Sequence, residues 1–329
     1  MSLRARATPR KFLKVSAAAA AAVAVGPTIL GGEDKAGTKL PVVGSGEHAY
    51  ECVHGWGELP KHVKWGETHG VAVASEFGRG FITDGAQGKV IIFDLKTLKV
   101  TGEAKADKDA DSVAYDPASK RIFVMNGDPH SSTVIDAKSG DVVGTIELGG
   151  GPEFAVADGK GTVFVNMEDK NEVVAIDSST LKIKSRWPLA PAGTPTALAM
   201  DTAHRRLFSA GRNPQNLVVL DADSGKVIQS FPISVGVDAA VFEPETGMLY
   251  VSTREGFVHI FHQDTLDKYS EVEKVKTEFG AKTMGLDTKT HTIFVDTADF
   301  GPAPAPTAER PHPQPAPVLG TFHVLVYGK

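Results

Sequence analysis

From Gly70 onward, short apolar runs alternate with turn residues, and the alternation repeats. The runs Val71-Ala72-Val73, Val113-Ala114-Tyr115, Phe154-Ala155-Val156, Ala197-Leu198-Ala199, Ala239-Ala240-Val241 and Met284-Gly285-Leu286 recur about every 42 residues. Each is followed by a turn and a second run, such as Ile122-Phe123-Val124, Val163-Phe164-Val165 or Leu249-Tyr250-Val251. A third run ends in aspartate, as in Val134-Ile135-Asp136 and Val219-Leu220-Asp221, and a fourth closes the unit, as in Val142-Val143-Gly144-Thr145. Short runs rich in β-branched and aromatic residues, bounded by Gly, Pro, Asp and Ser, predict strands. Four such strands in roughly 40 residues predict a propeller blade. The expected fold is therefore all-β, a β-propeller of four-stranded blades, with six blades favoured and seven as the alternative.

The turns fit this phase. Asp116-Pro117-Ala118-Ser119-Lys120 and Glu243-Pro244-Glu245-Thr246-Gly247 would join first to second strands, and Asp136-Ala137-Lys138-Ser139-Gly140 a third to a fourth. Proline pre-sets φ, glycine tolerates positive φ, and Asp or Ser bonds the local backbone. Asp94, Asp136, Asp177 and Asp221 recur at the end of the third strand, where a capping role is expected.

The last unit lacks an outer strand, and an unpaired sheet edge is a liability. A lone strand near Tyr50–Val53 would supply it and seal the ring. The last unit also carries an insertion, 301–319, with seven prolines from Pro302 to Pro317. Proline at that density removes ladder donors and favours extended polyproline II. A protruding loop between the second and third strands is expected, open to use as a docking arm.

The first 30 residues read as an export signal, 31–44 as a linker, and 45–329 as one propeller domain. Arg4, Arg6, Arg10, Lys11 and Lys14 precede an Ala-rich run too short and too weakly apolar for a durable transmembrane helix. Thr8-Pro9-Arg10-Lys11-Phe12-Leu13-Lys14 resembles a twin-arginine motif, with Pro9 where the first arginine belongs. A periplasmic or extracellular location follows. Cys52 is the only cysteine, which excludes an internal disulfide and covalent haem. A net charge of −5 without a basic block beyond the N-terminus weighs against nucleic acid.

Several stretches carry a family resemblance: Phe93-Asp94-Leu95-Lys96-Thr97-Leu98-Lys99-Val100, Gly151-Pro152-Glu153-Phe154-Ala155-Val156, the run from Val165 to Asp177, and Ala203-His204-Arg205-Arg206-Leu207-Phe208-Ser209. With the Pro-rich loop ahead of Thr321–Val326, they resemble the YncE-like, YVTN-repeat propellers. The resemblance implies an exported propeller without an assigned reaction, grouped structurally with quinoprotein-type propellers. Gly55–Pro60 and Trp65–Val73 resemble the opening of exported NHL-repeat propellers, a resemblance that covers residues 1 to about 75.

In a propeller, residues just before each innermost strand point to the mouth of the central channel. Those positions hold His69, Asp111, Glu153, Thr196, Asp238 and Thr283. The rim after the second strands holds Asp84, Asn126, Glu168, Asp169, Arg212, Arg254 and Asp296. No cofactor is demanded. Hard oxygen donors at Asp111, Glu153 and Asp238 would suit a Ca²⁺-type ion, while zinc fits poorly with a single imidazole. Arg212 and Arg254, on consecutive blades, could clamp an anion or simply pair with nearby acids. There is no Gly-x-Ser-x-Gly elbow and no P-loop. The expectation is an exported module that binds a small molecule or a protein. The alternatives are a metal-assisted lyase or hydrolase, a subunit of a quinoprotein-like dehydrogenase, or a single-stranded nucleic-acid binder.

Overall fold

The structure, a computed structural model, describes residues 42–56, 69–307 and 313–328. The expected export signal and most of the linker lie outside the described residues. The alternating runs form six antiparallel sheets, blades I to VI in chain order. Blade I is Val71–Ala74, Arg79–Asp84, Lys89–Asp94 and Val100–Lys105; blade II is Ala110–Asp116, Arg121–Asn126, Ser131–Asp136 and Val142–Glu147. Blade III is Pro152–Ala157, Thr162–Met167, Glu172–Asp177 and Lys182–Pro188; blade IV is Pro195–Asp201, Arg206–Arg212, Gln215–Asp221 and Val227–Pro232. Blade V is Val237–Glu243, Met248–Thr253, Phe257–Thr265 and Lys268–Lys276. Blade VI takes Met284–Asp287, Thr292–Thr297 and His323–Gly328 from the C-terminal end.

The missing outer strand of blade VI comes from the other end of the chain. Tyr50–Trp56 runs antiparallel to His323–Gly328, with Glu51 opposite Gly328, Cys52 opposite Tyr327 and Val53 opposite Val326. Pairing starts earlier than a plain linker over 31–44 would allow, because Val42–Val43 adds a fifth strand against Tyr50 and Glu51. Gly44, at φ +83°, makes the reversal; a Cβ there would run into the His48 carbonyl. The closing strand is anchored by burial. Val43, Tyr50 and Cys52 pack with Tyr250, Val258, Ile260 and Val275 of blade V and with Ile293, Leu325 and Tyr327 of blade VI. Burial also pushes the Cys52 thiol up to about 11, so it stays protonated and acts as a small apolar group.

Each blade buries alternate residues against its neighbours, so the core lies in the spaces between blades. Phe81, Val90, Ile122 and Ile135 fill the space between blades I and II, and Phe123, Met125, Val163 and Val174 that between II and III. Phe164, Leu198 and Leu220 serve III and IV, and Phe208, Phe242 and Phe261 serve IV and V. Among the described residues no comparable cluster lies between blades VI and I. There the outward alternates of the first strand, Val71 and Val73, are 62% and 48% exposed.

The aspartates ending the third strands are caps, as expected. Asp94 accepts the N–H groups of Lys96 and Thr97, Asp136 those of Lys138 and Ser139, Asp177 those of Ser179 and Thr180, and Asp221 those of Asp223 and Ser224. These bonds favour the ionised form and draw Asp177 down to about 2. The Pro-rich insertion does lie between the second and third strands of blade VI. Its base is pinned: Gly301 N–H donates to the Ala316 carbonyl at 2.9 Å, and Val318 N–H to the Asp299 carbonyl at 2.7 Å.

Candidate functional site at the channel mouth

Neighbouring strands in a blade are antiparallel, so the loops leading into each first strand and those after each second strand emerge on one face. Both predicted groups therefore share that face, and the structure joins part of each into a network. Asp238, at the start of blade V, is its hub. It receives Arg212 Nη2 at 3.1 Å, Lys282 Nζ at 2.8 Å and Thr283 Oγ1 at 3.1 Å. Arg212 Nη1 lies 3.5 Å from Glu168 and 3.8 Å from Glu153, and its Nε donates to the Val237 carbonyl at 3.1 Å. One guanidinium thus ties blades III, IV and V together, and Lys282 and Thr283 extend the network to the edge of blade VI. On the opposite side, His69 Nδ1 stands 3.0 Å from Asp111.

Acid exceeds base here. Asp111, Glu153, Glu168, Asp238 and Asp296 face Arg212 and Lys282. Three of the carboxyls hold their protons more tightly than usual. Burial pushes Glu153 up to about 8; Arg212 opposes the rise, while Glu168 and Asp111 add to it, Glu168 through a shared hydrogen bond. Burial raises Asp111, against the pull of His69 and helped by Asp109 and Asp238. Burial and the Asp238 charge raise Asp296, against Lys282.

Four of the other candidates serve the fold. Asp84 caps a turn through the Gln87 N–H, and Asp169 accepts the Gly151 N–H at 2.8 Å and pairs with Lys170. Asn126 is fully buried and bonds Ser131 and Thr133 of its own blade. Thr196 is buried, its hydroxyl directed at the Thr194 carbonyl. Arg254 takes no part in the Asp238 network, and its guanidinium lies over the rings of Phe279 and Phe300. Among the described residues no three of His, Cys, Asp and Glu gather closely enough to hold a metal ion. Asp111, Glu153 and Asp238 share the mouth without forming a ligand set.

Two features escaped sequence reasoning. Lys282 sits one residue before a predicted mouth position, and that adjacency was its only signal. Ser234, His259 and Glu271 form a relay without a local motif: Ser234 Oγ lies 3.0 Å from His259 Nε2, and Nδ1 lies 2.6 Å from Glu271. The distances match a nucleophile–base–acid set. Yet Nε2 also receives the Ser234 backbone N–H at 3.1 Å, and the next amide, Val235, is committed to Glu255 at 3.2 Å. With its lone pair and the nearest oxyanion donor occupied, the relay fastens the loop from blade IV to blade V.

No family model matches the chain. It is 25% identical over 219 residues to the uncharacterized protein YncE of Salmonella typhimurium, an alignment covering 65% of this chain and 60% of that protein. The chain thus spans less than two thirds of that relative's length. Among solved structures, hydrazine synthase of Kuenenia stuttgartiensis superposes with a TM-score of 0.61 at 18% identity, over 73% of this chain and 77% of that one. The β-propeller domain of Myceliophteria thermophila Cps50 (Swd1) also gives 0.61, at 12% identity over 81% of this chain and 98% of that domain. Identities this low speak for the fold alone. With the repeat, the six blades and that alignment together, the chain is a six-bladed β-propeller similar in sequence to the protein YncE.

Proposed function

We propose that this propeller is an exported binding module that receives a cationic group of its ligand or protein partner at the channel mouth. The observation that carries the reading is the surplus of carboxyls there, with Glu153 raised to about 8 although Arg212 lies beside it. Burial does most to raise Glu153, and Glu168 and Asp111 add to it; with five carboxyls facing Arg212 and Lys282, the mouth is short of positive charge. An incoming ammonium or guanidinium would supply it. The basic and Ala-rich first 30 residues support export.

A metal-assisted reaction is the weaker reading, because the oxygen donors are already engaged. Asp238 serves Arg212, Lys282 and Thr283, Glu153 shares a proton with Glu168, and Asp111 faces His69. An acidic mouth also repels the phosphates of single-stranded nucleic acid. The test is calorimetric titration with agmatine near neutral pH, in buffers of different ionisation enthalpy. Binding should release a proton as Glu153 ionises, and Glu153→Gln should abolish the release. Absence of binding, or binding with identical proton balance in both proteins, would count against the mouth as the site.

A further inference from the structure

Beside the mouth, over blades IV to VI, lies a cleft of about 500 Å³ lined by Arg212, Arg254, Lys282, Glu255, Phe279 and Gln314. That volume lies within the range of small-molecule sites. Its charges do not cancel. Arg212 and Lys282 share Asp238, and Glu255 accepts the Val235 N–H. Arg254 is the surplus: among the described residues no carboxylate stands within ion-pair distance of it. Its Cζ lies 5.5 Å from the centre of the Phe279 ring and 5.4 Å from that of Phe300, and the two rings meet edge to face at 5.2 Å. Stacking occupies the flat faces of a guanidinium and leaves its edge donors available. The polar contact of that edge is a long one, Nη2 to the Pro315 carbonyl at 3.4 Å.

The cleft is also held in shape. Arg254 N–H donates to the Gly236 carbonyl at 2.8 Å, and Gly280 N–H to the Arg254 carbonyl at 2.8 Å. Gly236 and Gly280 have φ of +78° and +89°; a Cβ on the first would press on Arg254, and one on the second would enter the Phe300 ring. Phe279 is 46% exposed, so an apolar wall stands beside the cations. The Pro-rich loop supplies the remaining wall through Gln314.

We propose that this cleft binds a small organic monoanion, a carboxylate on a flat apolar body. Arg254 takes the carboxylate through its edge N–H groups, Lys282 lies alongside, and the apolar body rests on Phe279. The proposal stands apart from the cation reading of the mouth, since it needs neither Glu153 nor Asp111. The test uses benzoate and phenylacetate as probes in calorimetry and thermal shift on the full chain. Saturable one-to-one binding is expected, weakened at least tenfold by Arg254→Met and several-fold by Phe279→Ala. Benzamide, the same shape without the charge, and inorganic phosphate, the charge without the ring, should each bind at least tenfold more weakly. Equal binding of benzamide or of phosphate, or unchanged binding in Arg254→Met, would overturn the proposal. Should Arg254→Met fail to fold, the benzamide and phosphate comparisons on the unmodified chain decide it. Loss of benzoate binding with agmatine binding intact condemns the cleft alone, and the reverse condemns the mouth alone.

Discussion

Replacing Glu153 with glutamine should make the protein more stable than its parent in mild alkali and little different in mild acid. Glu153 is 15% exposed at its side chain and lies between Arg212 and Glu168, with its folded-state pKa raised from 4.5 to about 8. A carboxyl with a raised folded pKa binds more protons folded than unfolded. Its contribution is therefore fully present below the unfolded value and is lost as pH rises through about 8. At about pH 6 the folded state keeps the proton that the unfolded chain has released, which is worth a few kcal/mol, on the order of 3; at about pH 9 almost nothing of this remains. The parent should thus lose roughly 2–3 kcal/mol across that window beyond any loss in Glu153→Gln, whose amide mimics the protonated acid and can still donate to Glu168. The assay is urea unfolding at closely spaced pH values, with the slope of the transition checked for constancy. Taking the difference between the two proteins cancels every other titrating group. Parallel stability profiles from pH 6 to 9 would refute the reasoning, because Glu153 would then be ionised in the fold and adequately balanced by Arg212.

Two further outcomes follow from single side chains. Asn166 is fully buried, donates to the Thr196 and Ala197 carbonyls at 3.0 and 2.9 Å, and accepts the Ser209 hydroxyl at 2.8 Å. Asn166→Ala should cost about 2–3 kcal/mol by leaving those groups unpaired between blades III and IV, read as a lower urea midpoint at unchanged slope. Burial lowers the pKa of His259 against the opposing hydrogen bond its Nδ1 donates to Glu271, so its contribution is present above the unfolded value near 6.5 and fades as pH falls below it. Thermal melts should show the parent falling between about pH 7 and 5 more steeply than His259→Gln, and equal slopes would contradict the neutral, loop-fastening role.

The blades were legible because their signal is local: alternation, turn residues and the recurring aspartate cap all lie within one unit of about 42 residues. The closing strand was legible by subtraction, since a final unit with three strands requires a fourth. Its fifth strand was not, because two valines beside a glycine carry no periodic signal. At the site, register told which residues reach the face but not where their side chains turn. Asp84, Asn126, Arg212 and Arg254 occupy equivalent positions, yet the first two satisfy their own blades while Arg212 gathers acids 26 and 44 residues away. The aromatic bed of Arg254, Phe279 and Phe300, comes from two later loops. Ser234, in the loop leading into blade V, and His259, on its third strand, are 25 residues apart. Such pairings are made by the ring, and no short window of sequence contains them.

The placing of the mouth and the cleft on one face depends on the ring being sealed between the chain's two ends. Cys52 lies opposite Tyr327 across the closing pair, and the chain holds no other cysteine. Partners in a strand pair stand within the Cα separation a disulfide needs. The most direct measurement is therefore oxidation of Tyr327→Cys under native conditions, followed by peptide mapping. The sealed ring predicts one intramolecular disulfide joining the peptide that contains Cys52 to the C-terminal peptide, formed in nearly every molecule. Two free thiols in the native protein, or disulfides found only between molecules, would contradict it.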